Sequence, residues 1–174
     1  MVGKEKRNAL RLLQQTNMHQ PIPSAGEVAT RQLSMAIQLY LNKGDLICAI
    51  TLAGAAEEIL GKMAIKKDMP SALEQKVERT KELFKQIFPN KAAPPDKEFI
   101  SLVNLARNMM KHLKDENELP PMINLDDKAG RLIKRAIQNY SNTIGMPTAE
   151  MRHFERERLQ RIKNEDYVGL NHKD

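Results

Sequence analysis

Cysteines, aromatic residues and long apolar runs are all scarce in this chain of 174 residues. The single cysteine, Cys48, can form neither a disulfide within these residues nor a zinc site built on several cysteines, which excludes a disulfide-stapled scaffold. The absence of tryptophan, together with only three tyrosines and four phenylalanines, argues against an aromatic platform for stacking single-stranded bases. The apolar runs fall far short of the roughly 20 residues that a membrane-spanning helix needs. Because no apolar stretch follows the first charged residues either, we expect a cytoplasmic protein without a membrane partner.

The charge of the chain is mildly basic. Lysine and arginine total 28 against 22 acidic residues, which gives a net charge of +6 and a sequence isoelectric point of about 9.4. An isoelectric point above 9 is a weak indication of nucleic acid binding. Evenly mixed charge is also typical of an ordinary solvated surface. The charge therefore leaves both interpretations open.

Helix-capping motifs divide the chain into segments. Segments 24–27 and 71–74 both read Ser-x-x-Glu, a capping box in which each side chain bonds the backbone amide of the other residue. Between them, Gly44 is suited to a left-handed position at the end of one helix, and Asp45 to the N-cap of the next, at 46–66. So short a connection predicts an antiparallel helical hairpin.

Apolar residues recur with helical spacing in three further segments, at 71–88, 96–113 and 126–144, and no segment shows the alternation typical of a strand. Asp96 is the expected N-cap of the second of these helices. Its predicted buried face includes Leu102 and Leu113.

The sequence therefore predicts an all-α fold. We expect an N-terminal helical extension at 1–23, an antiparallel bundle of four to five helices at 24–147, and a charged C-terminal helix and tail at 148–174. Because the last segment has only a thin apolar stripe, we expect it to lie at the periphery or to contact a partner.

The segment Asn104-Leu105-Ala106-Arg107-Asn108-Met109-Met110-Lys111-His112 carries the clearest chemical hypothesis. An arginine can bind a phosphate with two parallel hydrogen bonds, and a histidine can take or give a proton near neutral pH. Together they suffice for cleavage of RNA without a metal ion. In a helix the two residues lie about 140° apart, because they are separated by five positions. Asn108 shares a face with His112 and could orient its imidazole, whereas Arg107 and Lys111 lie on an adjoining basic stripe.

The Arg107-Asn108-x-x-x-His112 pattern resembles the motif of the HEPN superfamily (higher eukaryotes and prokaryotes nucleotide-binding domain). The alanine-rich segment 53–60, with its two glutamates, also resembles the second helix of that family. The resemblance covers about residues 28–145; the 71–88 helix and both ends lie outside it. It implies a helical bundle that acts as a metal-independent endoribonuclease, with the motif at a homodimer interface, in a toxin–antitoxin, phage-defence or RNA-processing system. It also allows a bundle with no nuclease activity.

Glu57 is a candidate supporting residue, because it lies on the apolar side of its helix and a carboxylate there needs a partner. It could pair with Arg107 or support His112, or it could form an ordinary surface pair with a residue such as Lys62. No spacing of His, Asp, Glu or Cys indicates a metal site, and we expect no cofactor.

Three functional hypotheses follow from the sequence. The first is an endoribonuclease of the HEPN type, with Arg107, Asn108 and His112 as catalytic residues, Glu57 and Lys111 as supporting ones, and a cognate antitoxin as a possible partner. The second is a non-catalytic helical module that binds a protein partner or a nucleotide. The third is a nucleic acid binder without sequence preference, whose affinity would fall steeply with salt.

Overall fold

A computed structural model describes residues 21–111 and 123–170 of the chain, with side chains at 21–110 and 123–163. Within these residues it contains α-helices and no strands, as predicted. The helices are α1 (Ala25–Leu41), α2 (Leu46–Ile65), α3 (Ala72–Ile87), α4 (Asp96–Val103), α5 (Leu105–Lys111), α6 (Leu125–Thr143) and α7 (Ala149–Leu170). The predicted N-terminal extension falls almost wholly outside the described residues.

Both predicted capping boxes are present, at the starts of α1 and α3, and Asp45 is the N-cap of α2. The prediction for Gly44 is wrong, because Lys43 is the residue with the left-handed conformation, at φ 53°. The amide of Gly44 donates to the carbonyl of Leu39 at 2.8 Å, and the amide of Lys43 donates to that of Tyr40 at 3.4 Å. This bonding pattern is a Schellman motif, which places the left-handed residue one position before Gly44.

The core lies between α1, α2, α6 and the first turns of α7. Small residues let α2 and α6 pack closely, since an added Cβ at Gly54 would contact Leu132 and one at Gly61 would contact Asn139. These matched positions show that α2 and α6 run in the same direction. The helix α1 is antiparallel to both, since a Cβ at Gly26, near its start, would contact Met63 near the end of α2 and Ile144 just after α6. Asn139 is fully buried and joins three elements: its Nδ2 donates to the Glu57 carbonyl at 3.2 Å, and its Oδ1 accepts from the amide of Ala72 at 2.7 Å.

The charged C-terminal segment is helical, as predicted, but its first two turns are not peripheral. Met151 and Phe154 are almost completely buried in the core, and the Phe154 ring packs edge-on against Tyr40 with centroids 5.2 Å apart. These two apolar side chains give a mostly charged helix a stripe to bury, and Glu150 and Arg161 add polar contacts to Ser34 and Asp126.

The helix predicted at 96–113 is divided at Asn104, which ends α4 and precedes α5. Asp96 is the first residue of α4 and not its N-cap; its carboxylate accepts from Lys81 of α3 at 2.6 Å. Leu102 is 62% exposed, against the prediction that it is buried, because α4 packs against α3 through Phe99 and not against the core helices. Leu113 lies outside the described residues.

Among the helices of the described ranges, none combines the length and the hydrophobicity required to cross a bilayer.

Candidate functional site

A buried carboxylate lies between two arginines where α2, α5 and α6 meet. Glu57 of α2 is only 2% exposed. Its Oε2 lies 3.6 Å from Nη1 of Arg107, and its Oε1 lies 3.5 Å from Nε of Arg135. Glu58, at the edge of the same cluster, lies 3.8 Å from Nη1 of Arg107. Of the alternatives for Glu57, the structure therefore shows the pair with Arg107, and the surface pair with Lys62 is made by Glu58, at 2.8 Å. Support of His112 by Glu57 stays a prediction, because His112 lies outside the described residues.

The electrostatics of this cluster reflect its burial. Burial raises the pKa of the Glu57 carboxyl, while the charges of Arg135 and Arg107 act to lower it and that of Glu58 to raise it. Burial likewise lowers the pKa of Arg135, against the opposing influence of Glu57. Each buried charge is costly to remove from water, so the carboxylate and the guanidinium groups depend on one another.

Gly54 explains how Arg107 reaches the carboxylate. A Cβ at position 54 would lie 2.6 Å from Cδ and 2.9 Å from Cγ of Arg107, so only glycine lets this side chain cross the surface of α2. Gly130 of α6 has the same relation to Arg158 of α7, whose side chain occupies the place that a Cβ would take.

Arg135 is the residue of the cluster that sequence reasoning missed. Besides its contact with Glu57, its Nη2 donates to Oδ1 of Asn104 at 2.9 Å. Asn104 is buried, and this bond ties the break between α4 and α5 to α6. Arg135 could have been found from the predicted burial of Glu57, because a buried carboxylate requires a cationic partner. The helix α6 offers two candidates one turn apart, Arg131 and Arg135.

A cavity of about 670 Å³ opens beside this cluster, between α3, the α4–α5 break, α6 and α7. Eight of its nineteen lining residues are cationic, and Asp127 is the single carboxylate among them. Two of the cations, Lys76 and Arg79, come from α3, and Arg158 comes from α7. The cluster contributes Arg107 and Arg135. The other three lie on α6: Lys128, Arg131 and Lys134.

The cations of this basic cavity differ in how they are neutralised. Asp127 accepts from Nε of Arg131 at 2.8 Å and lies 3.7 Å from Nη2 of Arg158. Within the described residues, four others pair with no carboxylate: Lys76, Arg79, Lys128 and Lys134. Nε of Arg107 and Nε of Arg135 are buried and form no hydrogen bond with another described residue, although Nε of Arg135 lies 3.5 Å from Oε1 of Glu57. The four unpaired cations give the cavity a surplus of positive charge, which suits an anionic ligand.

The predicted catalytic residues are only partly described. Arg107 lines the cavity, and Asn108 follows it on α5, half-buried, with no hydrogen bond from its side chain to another described residue. Lys111 is the last residue of α5. The side chain of Lys111 and the whole of His112 lie outside the described residues, so the predicted contact between Asn108 and the imidazole stays a prediction.

Among the described residues, no group of three or more His, Cys, Asp or Glu side chains could hold a metal ion. Comparison with protein families, with curated proteins and with solved structures gave no match to this chain.

Proposed function

We propose that this chain is a metal-independent endoribonuclease of the HEPN type. The observation that carries the proposal is the buried ion pair of Glu57 with Arg107, which anchors the motif arginine at the edge of a strongly basic cavity. Arginine held in this way is pre-organised to bind a phosphate, because less side-chain freedom is lost when the ligand arrives.

In this proposal each motif residue has a separate role. His112 takes the proton of a ribose 2′-hydroxyl, whose oxygen then attacks the adjacent phosphorus. Arg107 stabilises the negative charge that develops on the phosphorane. The bond from phosphorus to the 5′-oxygen breaks, and the protonated His112 returns its proton to that oxygen, which leaves as a 5′-hydroxyl, while the other fragment keeps a 2′,3′-cyclic phosphate. Asn108 orients the imidazole, Lys111 adds positive charge, and Glu57 positions Arg107.

We further propose that two copies of the chain form a homodimer through the surface that carries the motif. Three large apolar side chains of α4 and α5 are between 41% and 62% exposed, and burying them would favour association: Ile100, Leu102 and Leu105. Light scattering of the purified protein would give the mass of the particle, and a monomer at micromolar concentration would contradict the dimer.

The cleavage test uses total RNA in the presence of EDTA, with the purified wild type and a His112→Ala variant. His153→Ala is the matched control, because His153 is exposed on α7, far along the chain from the motif. We expect cleavage by the wild type and by His153→Ala, with 2′,3′-cyclic phosphate ends, and a loss of at least 100-fold in His112→Ala. Activity that survives in a folded His112→Ala variant would contradict the proposal.

A non-catalytic interaction module is the second candidate, and the exposed apolar side chains of α3 and the following turn favour it. Leu83, Ile87 and Phe88 are between 40% and 58% exposed, which is a feature of surfaces that bind another protein. The partner in this case would be a protein such as a cognate antitoxin. Absence of RNA cleavage, together with a stable complex formed with a protein partner, would favour this candidate.

A further inference from the structure

We infer that the basic cavity is a binding site for a compact polyphosphate, that is, a small molecule with several linked phosphate groups, either free or attached to a nucleoside. This inference is independent of RNA cleavage. It rests on how the cations of the cavity converge, on which of them lack partners, on the volume they enclose and on the nature of the cavity floor.

Cations from several helices line one volume. Those of α3, α5, α6 and α7 all line the same cavity, whereas a surface that follows an extended strand would present a stripe of charge along one direction. The volume of about 670 Å³ lies within the range of small-molecule sites and is too confined for a folded nucleic acid. Convergent cations around a confined space fit an anion whose charges are close together.

Four of these cations are uncompensated within the described residues. Lys76, Arg79, Lys128 and Lys134 line the cavity with no carboxylate within ion-pair distance, and Asp127 is the single acidic side chain in the lining. Gathering like charges costs free energy unless an anion neutralises them. A triphosphate supplies three to four negative charges and many acceptor oxygens, which matches this set of donors.

The floor of the cavity is apolar. Among the apolar lining residues Ile50, Ala106 and Leu132 are buried and Val103 is half-buried, whereas five of the eight cations are exposed, so the apolar side chains form the deeper part of the lining. Such a floor can receive a base or a sugar but contributes little to a bare phosphate chain. It therefore provides a way to distinguish the two sources of the phosphate groups.

Two walls of the cavity come from outside the segment that resembles the HEPN superfamily. Lys76 and Arg79 belong to α3, and Arg158 belongs to α7. The site is thus a property of this chain, built where its additional helices meet the bundle.

The test is calorimetric titration of the full chain in EDTA with tripolyphosphate, ATP and adenosine as separate probes. We expect one tripolyphosphate and one ATP to bind per chain, and adenosine not to bind. Tighter binding of ATP would identify a nucleoside polyphosphate as the ligand class, through the apolar floor; equal affinities would identify the phosphate chain alone. Both results support the inference.

A pair of double variants separates this site from general attraction to a basic protein. Arg79→Ala/Lys134→Ala removes two exposed cavity cations that have no partner, and should weaken binding by about tenfold or more. Lys85→Ala/Lys97→Ala removes two exposed cations of α3 and α4 that do not line the cavity, and should change the affinity less than twofold. Melting temperatures verify that both variants fold.

Three results would overturn the inference: no binding of tripolyphosphate or ATP at about millimolar concentration, equal losses in the two double variants, or binding of a single-stranded RNA without binding of either small probe. His112→Ala keeps all eight cations that line the cavity among the described residues, and we expect it to bind tripolyphosphate as the wild type does. Failure of the nuclease proposal would therefore leave this result unchanged, and failure of polyphosphate binding would leave the cleavage assay unchanged.

Discussion

Gly54 shows how one missing side chain determines where an arginine lies. A Cβ at this position would lie 2.6 Å from Cδ of Arg107 and overlap the middle of that side chain. Moving only the guanidinium group would not relieve this overlap. We expect Gly54→Ala to lower the free energy of unfolding by about 1–3 kcal/mol, as over-packing of a dense interior does, despite the better helix propensity of alanine. Urea denaturation followed by circular dichroism measures this change.

Gly26 provides the matched control for that substitution. It lies in the first turn of α1, and a Cβ there would make ordinary contacts, at 3.5 Å to Ile144 and 3.6 Å to Met63. Gly26→Ala should leave the free energy of unfolding unchanged or raise it by up to about 1 kcal/mol. If both variants have the same stability, then the close approach of Arg107 to α2 is not what requires glycine at position 54.

At the scale of single residues, the sequence predicted part of the site. Glu57 was identified as a carboxylate in need of a partner, and Arg107 as one of its candidate partners, because helical periodicity is enough to place a charge on an apolar face. Arg135 was not identified, because its contact with Glu57 depends on which turns of α2 and α6 meet, and periodicity within one helix carries no information about the register between two. The same holds for the basic cavity, whose cations come from four separate helices.

Tyr40 connects three helices at one end of the bundle. Its hydroxyl donates to Asp126 of α6 at 2.8 Å, Arg161 of α7 lies over its ring, and Arg161 also donates to Asp126 at 2.9 Å. Burial, followed by the hydrogen bond to Asp126, raises the pKa of Tyr40 from 10.0 to about 12. The bond from Tyr40 to Asp126, which supplements the buried contacts of α7, therefore requires a protonated tyrosine.

The sign of the resulting pH dependence follows from this shift. The folded state holds the proton more tightly than the unfolded state, so the stabilisation is complete below pH 10 and is lost as the pH rises toward 12. We expect the wild type to lose stability relative to Tyr40→Phe across this range. An absorbance titration near 295 nm should show a component with a midpoint near pH 12 that is missing in Tyr40→Phe. A tyrosine component that titrates at pH 10 and disappears in the variant would contradict this assignment.

At the scale of helices, sequence prediction succeeded where the signals were local. The capping boxes of α1 and α3 and the N-cap of α2 are formed by residues three positions apart or fewer, and all three are present in the structure. The break at Asn104 was missed, because the apolar stripe continues through it and what stabilises it is a long-range bond from Arg135. The burial of α7 was missed for a similar reason, since Phe154 packs against Tyr40, which is more than a hundred residues away.

For the whole molecule, the uneven distribution of charge predicts how stability depends on salt. The net charge is only +6, yet eight cations face one cavity. Repulsion among these cations is strongest at low ionic strength, because the Debye length is about 30 Å at 0.01 M salt. The repulsion weakens as the Debye length falls to about 8 Å at 0.15 M. Arg79→Ala/Lys134→Ala should therefore melt about 2 °C above the wild type at 0.01 M salt, and the difference should shrink toward zero at 0.3 M.

The alternative is that the cations are dispersed enough in solution for their repulsion to be negligible. In that case Lys85→Ala/Lys97→Ala, which also lowers the net charge by two, would show the same salt dependence as the cavity variant. A difference confined to the cavity variant locates the repulsion in the cavity itself, because both variants change the total charge equally. Thermal melts of the three proteins over a range of sodium chloride concentrations, with phosphate excluded from the buffer, decide between these outcomes.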